Sequence, residues 1–443
     1  MKTRLRTALA VLVLVALSAN AFAQPQVSEK KELAIFSLGY YGWNIPLETL
    51  GTIDIDIQRV FVDLGRFTII GMQQRFSSGG LDQFIATIKQ SKEQNFVLPE
   101  RFQFGEAFLT EAEFNRLVGA FIIAVPVVTS FNSQYVNGRE WQTDIKTNVS
   151  FINVEDGTLL GIANVETSGT SRETQFKSIQ DAINGIPMQL QFEIRKIPAF
   201  TLNTRVLGVV GGEIKIQLGS NMGIQKGDEY AVITGGEFEG FRDEREVGLL
   251  LIKDVGPEVS TAIIRYAGTP VVKDTQLREI PRLGVDLSLY GHTYGVLAGS
   301  FASENSFLLG ARAEATRGFF GFMPYAAVQL ILDTDMWLPL NVIVGGQYAV
   351  YMRRLELGAR AGLAGSTNAI LRIIEDAVSE SDDPWFSHYG VSAGAYVSYL
   401  FNRDMKFFVE AQFDYMLGIA NAIGGPFSSY GGYQLGAGVT LKF

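Results

Sequence analysis

Serine and histidine sit side by side at Ser387-His388, and two carboxylates stand four apart at Glu410 and Asp414. These residue types serve nucleophilic and acid/base chemistry. Each arrangement also has a plainer reading. Adjacent strand residues point to opposite faces, so Ser387 and His388 are not expected to bond each other as a dyad. Glu410 and Asp414 share one strand face and read as charges lining an interior rather than as an acid/base pair. There is no nucleophile elbow, P-loop, dinucleotide fingerprint or zinc spacing. With no assembled site from which to argue an activity, the chain is expected to be non-enzymatic, with no cofactor and no metal.

The neighbouring charges obey the same alternation. In FLLGARAEATR, Arg312 and Glu314 oppose Phe307, Leu309, Ala311 and Ala313. In RLELGARAGLA, Arg354, Glu356 and Arg360 oppose Leu355, Leu357, Ala359 and Ala361. In KFFVEAQFDYM, Glu410 and Asp414 oppose Phe407, Val409, Phe413 and Tyr415. Period two is the mark of strands with unlike faces. A soluble sandwich would turn the charged face to water. A membrane barrel would turn it to the lumen and the apolar face to lipid.

Several features favour the barrel. Residues 282–443 divide into eight candidate strands, at 282–301, 306–316, 320–332, 338–351, 353–364, 387–401, 405–417 and 430–443. The course of the first past Gly291 is open. The polar faces mix both charge signs, so Arg312, Arg354 and Arg360 can pair with Glu314, Glu356, Glu410 and Asp414 in a narrow lumen. Short connections alternate with longer ones, as periplasmic turns alternate with outer loops. The stretch STNAILRIIEDAVSE (366–380) has helical spacing inside one acidic long loop.

The chain ends YGGYQLGAGVTLKF. Tyr433, Leu435, Val439, Leu441 and Phe443 alternate with polar or small residues, and the last residue is aromatic. This tail resembles the assembly signal of bacterial outer-membrane barrels, and residues 282–443 resemble the eight-stranded OmpA type. The resemblance implies export, recognition by the barrel-assembly machinery and insertion into outer-membrane lipid. An interior filled by side chains is expected, with no wide pore.

Upstream the texture differs. Residues 1–23 carry Lys2, Arg4 and Arg6, an apolar stretch, and Ala21-Phe22-Ala23, which read as a secretory signal peptide. The chain has no cysteine, which excludes disulfides, thiolate metal sites and an N-terminal lipid anchor. Two histidines leave no histidine-rich metal centre, and a net charge of −9 argues against nucleic acid as a partner.

Residues 24–200 read as mixed α and β. The stretch IDIDIQRVFVDLGRFTII reads as a helix running into a strand, broken at Gly65. LDQFIATIKQS and TEAEFNRLVG have helical spacing, whereas AFIIAVPVVTSF, WQTDIKTNVSFINV and TLLGIANVETSGTS read as strands. LGRFTIIGMQQ, AFIIAVPVV and VSFINVEDGTLLGIANVETSG resemble the CsgG family and the middle part of FlgT, periplasmic α/β domains. The family's lipidation cysteine is absent, and its pore-forming role is not carried over. Residues 201–281 hold short strands with glycine turns. LGSNMGIQKGDEYAVI resembles the signature of a small SH3-like barrel, with Gly219, Gly223 and Gly227 at tight turns.

The expected fold class is therefore multi-domain α+β plus all-β: a periplasmic α/β domain, a small SH3-like domain and a transmembrane eight-stranded antiparallel barrel. The expected function is an outer-membrane anchor for a periplasmic interaction module, whose envelope partner the sequence does not identify. Two alternatives stay open. One is a subunit of an oligomeric outer-membrane export channel. The other is a soluble periplasmic protein ending in a β-sandwich.

Overall fold

The computed structural model describes residues 27–40, 45–75, 101–104, 107–110, 122–238, 241–299, 305–318, 321–332, 338–368, 386–418 and 429–443. The expected signal peptide lies outside them, as do LDQFIATIKQS and all but the first residue of TEAEFNRLVG. The 366–380 stretch also lies outside, except for its first three residues, which continue a strand.

The first module is a mixed sheet under helices. Its strands are β1 (Lys31–Ser37), β2 (Gly39–Tyr40), β3 (Phe67–Arg75), β6 (Ile122–Val136), β7 (Glu140–Asn153) and β8 (Leu159–Ser171). The short pair β4 (Arg101–Phe104) and β5 (Ala107–Thr110) stands apart. The sheet order is β3-β1-β6-β7-β8, with β2 beside β6. β1 runs parallel to β3 and β6, and β6, β7 and β8 are antiparallel.

The Leu47–Leu64 helix makes the parallel crossover between β1 and β3. It buries Leu50, Ile53, Ile57, Val60, Phe61 and Leu64, one stripe at helical spacing. Each such side chain contributes about 1.5–3 kcal/mol. Gly65 ends the helix with φ 65°, a left-handed cap that glycine adopts without a Cβ clash. The Gln175–Asn184 helix begins at Thr174, whose hydroxyl accepts from the Lys177 N–H at 3.2 Å. The stretch to Lys196, readable as strand or helix, is the helix Ile186–Lys196.

The second module is a closed six-stranded barrel. Its strands are β9 (Asn203–Val210), β10 (Glu213–Ile216), β11 (Glu229–Phe238), β12 (Phe241–Val255), β13 (Ser260–Ala267) and β14 (Gln276–Ile280). They close in the order β10-β13-β12-β11-β14-β9 around Val206, Ile214, Tyr230, Val232, Leu250 and Leu277. Gly223 and Gly227 have positive φ, as their turns demand, whereas Gly219 is extended. Gly223 also meets the first module: a Cβ there would collide with the Leu64 carbonyl oxygen.

The third module is a closed antiparallel barrel of eight strands, not a sandwich. They are β15 (Val285–Ala298), β16 (Asn305–Ala315), β17 (Met323–Leu332), β18 (Pro339–Met352), β19 (Leu355–Asn368), β20 (His388–Leu400), β21 (Met405–Gly418) and β22 (Ser429–Lys442). The first strand passes Gly291 without interruption and ends at Ala298. It closes the barrel against the last strand, from Asp286↔Lys442 to Ala298↔Gly431. The Leu283 N–H then donates to the Phe443 carbonyl at 2.9 Å.

Candidate functional site

The eight-stranded barrel is inside-out relative to a soluble protein. On β21, Phe408, Glu410, Gln412 and Asp414 are buried, whereas Phe407, Val409, Phe413 and Tyr415 are exposed. On β16, Arg312 and Glu314 are buried while Phe307 and Leu309 face outward. Of the C-terminal residues, Tyr433, Leu435, Leu441 and Phe443 are exposed, and half-buried Val439 lies on the same outward face.

The interior charges assemble around Glu410. Arg312 reaches it from β16, its Nη1 donating at 3.1 and 3.2 Å, and Arg360 reaches it from β19. The His292 Nε2 on β15 lies 3.1 Å away. Glu314 bonds the Arg312 Nε and stands 3.8 Å from Arg360. Aromatic rings cover both guanidiniums: Tyr290 at 4.9 Å and Phe408 at 5.1 Å for Arg312, and Tyr396 at 4.2 Å for Arg360. Side chains from four strands thus meet across the lumen and fill it at this level.

Asp414 belongs to a separate layer nearer the far mouth. It accepts from the Tyr294 hydroxyl at 2.9 Å, the Gln434 amide at 3.0 Å and the Gly432 N–H at 3.2 Å. At the mouth itself, Ser387 and His388 do bond: Oγ and Nδ1 are 2.8 Å apart. The expectation against this pair fails because Ser387 precedes the strand, where alternation does not apply. Ser387 also donates to the Ser366 carbonyl at 3.2 Å, and both residues are buried.

Arg354 needs correction as well. It lies in the turn before β19, not in the lumen. Its Nη1 donates to the Leu400 and Phe401 carbonyls at 2.8 Å each, and its guanidinium covers the Tyr266 ring at 4.0 Å. Alternation gives Arg354 inward parity, but the strand begins at Leu355 and not at 353, so the rule does not reach it.

The near end of the barrel rests on the six-stranded barrel, and each of its three turns presents an arginine to it. Arg317 bonds Asp228 at 2.6 Å, Arg354 covers Tyr266, and Arg403 pairs with Glu246. Asp228 also receives Arg195 of the first module at 3.3 Å. One carboxylate thus joins all three modules. Beside it, buried Glu279 takes Arg195 at 2.7 Å and both terminal nitrogens of Arg66 at 2.6 and 2.7 Å. Burial pushes the Glu279 carboxyl up, but Arg66 and Arg195 more than reverse this and hold it at about 2.

The lumen floor continues the network. Lys406 lies 3.1 Å from Asp286 and 3.5 Å from Glu356. Arg265 rises from β13, covers the Tyr351 ring at 4.4 Å and stands 3.7 Å from Glu356. Lys442 and Arg282 both pair with Glu229. A cavity of about 550 Å³ remains between the two barrels at this level. Asp286 and Lys406 share inward parity with His292 and Glu410, so alternation extended to β15 and the start of β21 would have found them. Nothing in the local pattern marks Asp228 or Glu279.

Aromatic residues ring the barrel's outer surface at both ends. Near the six-stranded barrel stand Phe322, Tyr348, Tyr399, Phe401, Phe407 and Phe443; toward the far mouth stand Phe307, Tyr389, Phe413, Tyr415 and Tyr433. Aliphatic residues such as Val397, Val409 and Leu435 occupy the belt between them. Ten steps separate Tyr389 from Tyr399, and ten separate Tyr433 from Phe443. Ten strand residues rise about 33 Å, which a tilt of about 40° reduces to about 25 Å.

No protein-family model and no curated protein matches this chain. Among solved structures, Neisserial surface protein A is 14% identical, with a TM-score of 0.27 over 36% of this chain and 97% of that one. The N-terminal β-barrel domain of Pseudomonas aeruginosa OprF is 18% identical, with a TM-score of 0.23 over 36% and 96%. Lipoprotein GNA1162 from Neisseria meningitidis is 10% identical, with a TM-score of 0.21 over 35% and 97%. Each covers little more than a third of this chain, and none brings a function to it.

Proposed function

We propose that this protein is a non-enzymatic outer-membrane anchor that holds a periplasmic interaction module in a fixed orientation. The observation that carries the reading is the pair of aromatic girdles on an inside-out barrel. On β20 and β22 their spacing of about 25 Å matches the apolar band of an outer-membrane barrel. A soluble protein rarely exposes so continuous an apolar surface.

The arginine-bearing turns and the six-stranded barrel lie on the periplasmic side in this reading. The CsgG/FlgT-like and SH3-like resemblances of the upstream segments fit a platform for envelope proteins. The lumen filled at Glu410 and Arg265 on its floor support an anchor over a solute channel in the single barrel. The docked turns suit an anchor that fixes orientation: Asp228 ties the membrane barrel to the outermost module through only two arginines.

The test is electrophoretic. Purified full-length protein should migrate differently on a detergent gel before and after boiling, and should stay with outer membranes through a carbonate wash. Unchanged migration together with release by carbonate would overturn the reading.

The last residue offers a second measurement. Phe443 is half exposed on the outward face and its carbonyl accepts one hydrogen bond, from Leu283, so removing it should cost the folded barrel no more than about 2–3 kcal/mol. If it is read by the assembly machinery, deletion should strip most of the barrel from outer membranes in cells. Protein refolded in detergent should lose no more than that amount of stability. Loss of both by the same degree would assign Phe443 a packing role only.

A further inference from the structure

The β18–β19 hairpin closes on a two-residue turn, Arg353-Arg354, between Met352 and Leu355. Arg353 takes φ 53°, one of three positive φ values at non-glycine positions among the described residues. Glycine or asparagine fits such a backbone easily, whereas an arginine is strained there. Strain of this kind collects where a side chain serves a function. The other arginines of the near turns are engaged: Arg317 with Asp228, Arg354 with two carbonyls, Arg403 with Glu246. Arg353 is exposed and has no ion pair or hydrogen bond among the described residues.

The turn forms one wall of a groove of about 540 Å³. Tyr266, Pro270 and Val271, from the end of β13 and its connection to β14, form the other. Met352 and Leu355 line the groove, whereas their inward-facing neighbours Tyr351 and Glu356 do not. Met352 and Leu355 are themselves about half exposed on the outward face. The groove therefore lies outside the lumen, at the barrel's outer rim. Cross-strand pairing carries its apolar wall around the barrel: Leu355 stands beside Tyr399, and Tyr399 beside Phe407. Both rings belong to the near girdle, the depth at which lipid head groups lie. Arginines line the groove and, among the described residues, no carboxylate does.

An unpaired cation at head-group depth, above an apolar outward wall, is complementary to an anionic amphiphile. We propose that this groove seats the head group of an anionic phospholipid, with its phosphate against Arg353 and its acyl chains along Met352, Leu355 and Tyr399. The volume lies within the range of about 300–1,000 Å³ typical of small-ligand sites. A single basic residue at a membrane surface raises affinity for anionic lipid about fivefold. The proposal rests on the membrane placement above.

Native mass spectrometry of the full chain in mild detergent tests it, with phosphatidylglycerol, phosphatidylcholine of the same chains and soluble glycerophosphoglycerol as probes. One phosphatidylglycerol per chain should be retained, at least about fivefold more strongly than phosphatidylcholine. The soluble head group, which lacks the chains, should not displace it. Arg353→Asn suits the left-handed turn and removes the charge. It should weaken phosphatidylglycerol retention about fivefold while leaving the midpoint of the boiling-dependent gel shift unchanged. Arg353→Lys should keep the lipid, and Leu355→Gln should weaken both lipids. Arg139→Asn, in the exposed turn between β6 and β7, removes a cation from the first module and should change nothing. Equal retention of the two lipids, displacement by the soluble head group, full retention in Arg353→Asn, or equal loss in Arg139→Asn would overturn the proposal. The gel shift itself, run on the same samples, separates failure of the lipid site from failure of the membrane reading.

Discussion

Glu410→Ala is expected to destabilise the eight-stranded barrel by about 3–5 kcal/mol, the usual cost of breaking a buried ion pair from one side. Glu410 is the shared acceptor of Arg312 and Arg360, and all three are buried. Without it, Arg312 keeps Glu314, while among the described residues Arg360 has only the carboxylate of Glu314, at 3.8 Å. Two buried guanidiniums would then face one carboxylate inside the barrel. The midpoint temperature of the gel-shift transition reads the loss. Arg360→Met in the same chain removes the orphaned charge but keeps an apolar stem under Tyr396, so the double variant should recover much of the stability. If Glu410→Ala melts with the native chain, the cluster does not bear on barrel stability.

The barrel interior was legible because period two is a physical consequence of the pleat. Arg312, Glu314, Glu356, Arg360, Glu410 and Asp414 fall inward by parity alone. Alternation says which face a residue takes, but not where the strand begins. Arg354 has inward parity, yet it sits in the turn and turns toward Tyr266 instead. Ser387 fails for the same reason at the opposite end: outside the ladder, a residue is free to point its hydroxyl at its neighbour's ring.

The junction was illegible for a different reason. Arg66 and Glu279 are 213 positions apart, and their pairing depends on two modules docking. No local pattern encodes such a contact. The three glycines all stand at turns, Gly219 with an extended backbone whose carbonyl accepts from the Met222 N–H at 3.0 Å. Gly223 and Gly227 take the positive φ that tight turns require, but the close approach of Gly223 to Leu64 belongs to tertiary structure and leaves no mark in spacing.

The junction also yields the second large effect, and it depends on pH. The Glu279 carboxyl is held at about 2 by Arg66 and Arg195, against about 4.3 in an unfolded chain. A carboxyl lowered by folding stabilises the native state above its unfolded value. That stability is lost as pH falls from about 4.3 toward 2, because the unfolded chain takes up the proton first. The difference between these two values corresponds to about 3 kcal/mol. Glu279→Gln should remove this acid dependence. At neutral pH it should also lower stability by about 3 kcal/mol, since Arg66 and Arg195 stay buried beside an uncharged amide. Arg195 keeps Asp228 and Arg66 keeps the Phe200 carbonyl at 2.9 Å, which holds the cost toward the lower end. Denaturant unfolding in detergent at pH 7 and pH 3 measures both, followed by tryptophan fluorescence in a chain with Trp43, Trp337 and Trp385 replaced by Phe so that Trp141 on β7 reports alone. In the native chain, the transition of the first two modules should move to lower denaturant at pH 3. In Glu279→Gln it should start lower and move little. A variant that still weakens in acid by the native amount would show that other carboxylates, and not Glu279, set the acid response of the junction.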